Sequence, residues 1–154
     1  MKIRIGLVTR SSAWEQLLWR EGVPFEVLNF SHLEYSLIVV NRVLALAESM
    51  AIQDYLRKGG AILGYTDFVQ HICGTATRKE YIKYISSDGG GEDVGVDMLD
   101  LGLIGAIPDC ANTLRTQANA FALFSGPMSG GFAVILPFDV DRVLSDSRTV
   151  SKLF

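Results

Sequence analysis

In a chain of 154 residues, the side chains best placed for chemistry stand together in Thr66-Asp67-Phe68-Val69-Gln70-His71. Asp67 and His71 are four apart, so a helix beginning here would put both on one face. There the carboxylate could orient the imidazole as a general base, or both groups could ligate a metal. The plainer alternative is an Asp67 cap and a structural hydrogen bond from His71. Thr66 offers a hydroxyl, which needs an adjacent base before it can act as a nucleophile. The two cysteines, Cys73 and Cys110, are too few and too far apart for a zinc site or a disulfide framework and read as buried thiols. No metal site is expected.

What must position these residues is the segment before them, Ala45 to Asp67. A helix from about Leu44 to Lys58 gathers Leu44, Ala51, Ile52, Tyr55 and Leu56 on one face. Glu48 falls within that apolar sector, as a buried acid near a site or as an edge carboxylate paired with a basic neighbour; the paired form is expected. Arg57 and Lys58 suit the helix C-terminus, Gly59-Gly60 stops it, and Ala61 to Gly64 follows as a short buried strand. Three strands precede it: Ile3 to Val8, Pro24 to Leu28, and Ser36 to Val40. Ser12-Ala13-Trp14-Glu15 has the pattern of a capping box for a helix ending at Gly22. Trp19 lies off that helix's apolar stripe, either half-buried at an edge or part of a partner surface; the edge position is expected.

Four strands alternating with two helices predict an α/β fold: a three-layer, doubly wound, mostly parallel sheet of flavodoxin-like order. Ligands in such sheets sit beyond the strand C-termini. That crest comprises Thr9, Arg10, Ser11 and Ser12, then Asn41 and Arg42, then Tyr65, Thr66 and Asp67. Further on, Phe68 to Cys73 reads as a short helix, Glu80 to Ser86 as a strand, and Met98 to Ile107 as a region including one. Ala120 to Ser125 and Phe132 to Phe138 read as a late antiparallel hairpin across Gly126 to Gly131. Asp139 caps a last helix through Leu144.

Composition narrows the function. With glycine counted and tyrosine left out, the apolar share exceeds the roughly 45–50% usual for a soluble domain, which implies a covered face. A net charge of -3 and an isoelectric point near 5.3 give no electrostatic basis for holding nucleic acid or an anionic membrane. No run approaches the roughly 18 apolar residues of a membrane span, and the N-terminus enters a strand pattern directly, so a cytoplasmic location is expected. SSDGGGEDVG, residues 86–95, lacks the spacing and Lys-Ser/Thr of a phosphate loop, and Asp88, Glu92 and Asp93 would repel phosphate. Those acids could recruit a metal ion, but the loop reads as solvated surface. One domain over residues 1–154 fits the length.

The order of elements over residues 3–70 resembles the class I glutamine-amidotransferase-like fold, and FAVILPFDV, residues 132–140, looks like the strand leading to the closing helix in its non-catalytic relatives. Active members place a cysteine in Gly-x-Cys-x-Gly at this elbow, with a late His and Glu completing a triad. Here the motif falls on Gly64, Thr66 and Phe68, and the only histidines are His32 and His71. The closer resemblance is to members without the triad: trehalose-utilisation-type domains and those preceding the catalytic domain of bacterial polysaccharide deacetylases. The last of these comparisons rests on ILPFDVDRVLSDSR, residues 135–148, and the abrupt end after it. That resemblance implies a non-catalytic accessory domain, the N-terminal part of a longer protein. Its partner would be a downstream catalytic domain, or a second copy through an apolar face, and it would need no cofactor. Two alternatives are a hydrolase using Asp67 and His71, and a flavin or nucleotide binder using TRSSAW, residues 9–14, at a helix N-terminus.

Overall fold

The computed structural model describes residues 3–73, 77–87, 94–104, 114–116, 124–136 and 139–142. Nine strands and three α-helices are found among them, with one 3₁₀ turn, Val140–Arg142. The main sheet contains β1 (Ile5–Leu7), β2 (Phe25–Val27), β3 (Leu37–Val40), β4 (Ala61–Tyr65), β8 (Phe124–Met128) and β9 (Gly131–Leu136). Its order is β2-β1-β3-β4-β9-β8. All neighbours pair in parallel except β8 and β9. The expected doubly wound α/β fold is therefore present, with β9 in the fifth place of a flavodoxin-like order.

Two of the helices are crossovers that cover this sheet. The first, α1 (Ser12–Arg20), connects β1 to β2 on one side, and α2 (Leu46–Arg57) connects β3 to β4 on the other. Right-handed crossovers running in opposite directions place them on opposite faces. Side-chain alternation agrees: Ile38, Val40, Ile62, Ala133 and Ile135 share one core cluster with Ile52, Tyr55 and Leu56 of α2. Their sequence neighbours Val39, Leu63 and Leu136 are also buried and point to the other face. There α1 buries Ala13, Trp14, Leu17 and Leu18.

Both helices stop on a glycine in the left-handed region, Gly22 at φ 68° and Gly59 at φ 91°. The next N–H reaches back to the last turn in each, Val23 to Leu18 and Gly60 to Tyr55, closing a Schellman motif. The N-cap of α1 differs from expectation by one residue. Ser11, not Ser12, receives the Trp14 N–H on its hydroxyl oxygen. Glu15 pairs instead with Arg10 at 3.0 Å.

After β4, α3 (Thr66–Cys73) begins at once, as the Phe68 to Cys73 pattern suggested. The strands expected over Glu80 to Ser86 and within Met98 to Ile107 are present, but they do not join the main sheet. Strands β5 (Thr77–Ser87), β6 (Val94–Ile104) and β7 (Leu114–Thr116) form a separate antiparallel sheet, ordered β6-β5-β7. The β8–β9 hairpin is also tighter than the breakers implied. Ser129 and Gly130 alone form its turn, both at positive φ, which matches the twist of the flanking strands. Pro127 is tolerated because β8 is the sheet's edge. Asp139 accepts the Asp141 N–H at 3.1 Å but starts only the 3₁₀ turn within the described residues. Cys110, the side chain of Cys73, the acids of 88–93 and the remainder of the expected last helix lie outside them.

Candidate functional site

The crest residues meet where the sheet order requires, at the C-terminal ends of β1, β3 and β4. Asn41, buried at the end of β3, donates through Nδ2 to the Thr9 carbonyl at 2.8 Å and accepts the Thr9 N–H on Oδ1 at 3.0 Å. This reciprocal pair ties the two strand ends together. Ser11 is buried and donates to Asp141 Oδ1 at 2.5 Å. The 3₁₀ turn Val140–Arg142 is thus tied to the loop after β1.

At the elbow itself, Thr66 is 0% exposed. Its hydroxyl donates to the Leu136 carbonyl at 2.8 Å. A hydroxyl bonded to a backbone carbonyl and shut off from solvent is not presented to a substrate, so Thr66 serves the junction of β4 with β9. Tyr65 is buried and meets Phe68 edge to face, with centroids 5.1 Å apart.

Arg42 is held by Glu48 through two bonds, Nη1 to Oε1 at 2.8 Å and Nη2 to Oε2 at 2.7 Å. Glu48 also accepts the Ala45 N–H at 2.9 Å, which supplies a cap where Ala45 has no side-chain acceptor. Arg42 first, then the Ala45 N–H, lowers the Glu48 carboxyl to about 2. Glu48 is therefore the paired edge carboxylate the helix pattern suggested. Arg10 points into solvent beside Glu15, and Ser12 is exposed.

Asp67 is half-buried and His71 exposed, one turn apart on α3. The His71 carbonyl accepts from Gln53 Nε2 at 3.2 Å, which docks α3 on α2. Among the described residues no group of three or more His, Cys, Asp or Glu could hold a metal ion. No helix of the described residues is long and apolar enough to cross a membrane.

Sequence reasoning missed a concavity at the opposite end of the sheet. It has a volume of about 570 Å³ and lies between the β2–β3 connection and the C-terminal half of α2. The nine-residue connection, 28–36, returns along the sheet without a helix, and its FSHLEY segment forms one wall. Two aromatic residues bracketing a His and a Glu in so short a connection were the signal available. Trp19 is likewise a correction. It is 81% exposed, not half-buried, because the stripe of α1 that faces the sheet is filled by Trp14, Leu17 and Leu18.

No protein-family model matches the chain, and no curated protein matches it in sequence. Solved structures do match in fold. The exo-β-1,4-mannosidase Op5Man5 from Opitutaceae bacterium strain TAV5 superposes with a TM-score of 0.65 at 11% identity, over 97% of this chain and 33% of the enzyme. A β-galactosidase from Bacillus circulans sp. alkalophilus gives 0.65 at 8% identity, over 99% and 31%. A ThuA-like protein from Bacteroides uniformis gives 0.59 at 11%, over 99% and 88%. The chain thus spans about a third of the glycosidases and most of the ThuA-like protein. At these identities the likeness shows the fold alone, that of ThuA-like, class I amidotransferase-like domains.

Proposed function

We infer that this chain is a non-catalytic accessory domain of a carbohydrate-active protein, docking on a catalytic neighbour through an apolar face beside the crest. The observation that carries the reading is the closed elbow. Thr66 is buried and bonded to the Leu136 carbonyl, where active amidotransferase relatives present a cysteine. The solved glycosidases that share this fold do so over about a third of their length, which supports the accessory role. A polysaccharide deacetylase is the specific neighbour suggested by the closing segment, residues 135–148.

The docking face is the ridge Val43, Leu46 and Met50, on the first turns of α2 and the residue run leading into it. Leu46 is 79% exposed and Met50 61%. They stand four apart on one helical face, and burying a side chain of this size contributes about 1.5–3 kcal/mol. An isolated domain with such a ridge associates through it. Light scattering over a concentration series is expected to show self-association that Leu46→Glu with Met50→Glu abolishes. A wild-type protein that stays monomeric at every concentration would count against this face.

A further inference from the structure

We propose that the concavity at the N-terminal end of β3 and β4 is a binding site for a neutral saccharide of one or two rings. It lies across the sheet from the crest. Its wall on one side is Phe30 to Tyr35, and on the other Ala51, Asp54, Tyr55 and Lys58, with Gly59 and Gly60 beyond. At about 570 Å³ it falls within the roughly 300–1,000 Å³ of small-molecule sites.

Three observations set the ligand class. The first is the apolar lining. Phe30 and Leu33 are half-buried against the core cluster, and Tyr35 and Tyr55 are buried within it. The partly exposed ring of Phe30 and the aliphatic carbon of Leu33 suit the C–H face of a pyranose. The second is the state of the polar groups. At the crest Ser11, Asn41, Arg42 and Thr66 are engaged with their own chain. Here the hydroxyl of Ser31, the imidazole of His32 and the carboxylate of Glu34 are exposed, with no side-chain hydrogen bond or ion pair to other described residues. They can accept from and donate to ligand hydroxyls.

The third observation is charge. Lys58, the cation of the lining, is held at 2.8 Å by Asp54. Among the described residues, the lining charge without an ion pair is that of Glu34, which disfavours a phosphate or carboxylate ligand and leaves sugar hydroxyls, which donate to carboxylates, as the matching chemistry. The walls are held in place by Tyr55, whose hydroxyl bonds the Tyr35 carbonyl at 3.0 Å and the Ala61 N–H at 3.1 Å. The concavity is therefore preformed, and little ordering is required of it on binding.

The test is a nitrogen–proton NMR titration of the whole chain with cellobiose, lactose, β-1,4-mannobiose and maltose. Glycerol serves as a polyol without a ring and glucose 6-phosphate as an anion. At least one disaccharide is expected to shift the amides of Ser31 to Tyr35 and Asp54 to Gly60 saturably, with a dissociation constant on the order of 1 mM. Glu34→Ala, a change at an exposed position, is expected to weaken binding about tenfold with an unchanged circular dichroism spectrum. Phe30→Ala is expected to do the same if it folds. Shifts centred on Thr9, Asn41 and Thr66, a saturable glycerol response of equal strength, tighter binding of glucose 6-phosphate, or no saturable shift with any disaccharide would each overturn the assignment. The accessory reading is separable, because self-association through Leu46 and Met50 involves neither wall.

Discussion

Replacing Tyr55 with phenylalanine removes one oxygen and leaves the ring in place. That oxygen lies 3.0 Å from the Tyr35 carbonyl, 3.1 Å from the Ala61 carbonyl and 3.1 Å from the Ala61 nitrogen. A phenol has one proton, so it donates to one carbonyl at a time while accepting from the Ala61 N–H. The substitution therefore deletes one donated and one accepted bond at a site that joins α2 to the starts of β3 and β4. Each bond contributes about 1 kcal/mol net, and an orphaned buried partner costs about 1–3 kcal/mol. The expected loss is about 2–4 kcal/mol, or a fall in Tm of roughly 4–16 °C for a chain of this size. Urea unfolding followed by tryptophan fluorescence reads it, since Trp14 is buried and loses its environment on unfolding. An unchanged slope with a loss under about 0.5 kcal/mol would refute the reasoning. The pH dependence supplies a second check. Burial pushes the Tyr55 phenol above its ordinary value of 10.0, so the fold favours the neutral form. That contribution is fully present below pH 10 and is lost as pH rises beyond it. Tyr55→Phe should lack this part of the alkaline loss.

Two further substitutions probe the frame. Gly131→Ala would drive a methyl group into the backbone carbonyl oxygens of Gly60 and Leu56. Because neither backbone can move aside cheaply, the expected cost is about 3 kcal/mol or more by chemical denaturation; a cost under about 1 kcal/mol would show that β9 does not pack that closely on the α2–β4 turn. Glu48→Gln removes the carboxylate that Arg42 and the Ala45 N–H hold at about 2. A lowered folded value contributes stability above the ordinary 4.5 that is lost as pH falls toward 2. The wild-type advantage is about 1 kcal/mol at neutral pH after allowing for the partial exposure of both partners. It should shrink steadily in urea titrations between pH 4.5 and 2, and an advantage that did not change with pH would contradict the pairing.

The parts of the fold that were legible in sequence are those fixed by local chemistry. The helix before Gly59-Gly60 and the apolar strand that follows it from Ala61 each carry their own signal: an apolar stripe, a left-handed stop, a run too short for a helix. The next helix was legible only from Phe68, two residues inside its start at Thr66. Glu48 was legible too, because a carboxylate three residues past a helix start has an N–H and a nearby arginine to bind. The cap of α1 was not. Ser11 and Ser12 both precede the same stripe, and the choice between them involves Asp141, which is 130 residues away in sequence. The separate β5–β7 sheet was hidden for a related reason: register and partner in antiparallel strands come from long-range pairing. At the candidate site, residue types on the crest were legible, but their engagement was not. Thr66, Ser11 and Asn41 look available in a list of polar side chains, yet each bonds a group brought to it by a distant segment.

Whether the elbow performs chemistry is decided most directly by turnover. The purified chain would be assayed with glutamine, p-nitrophenyl acetate and p-nitrophenyl glycosides, with and without added divalent metal ions, alongside Thr66→Val and His71→Ala. The expected result is a rate at the buffer level for all three proteins in every assay. Thr66→Val should differ only in stability, lower by about 1–3 kcal/mol because the Leu136 carbonyl loses its donor. Turnover above buffer that disappears in either variant, while that variant remains folded by circular dichroism, would contradict a closed and non-catalytic elbow.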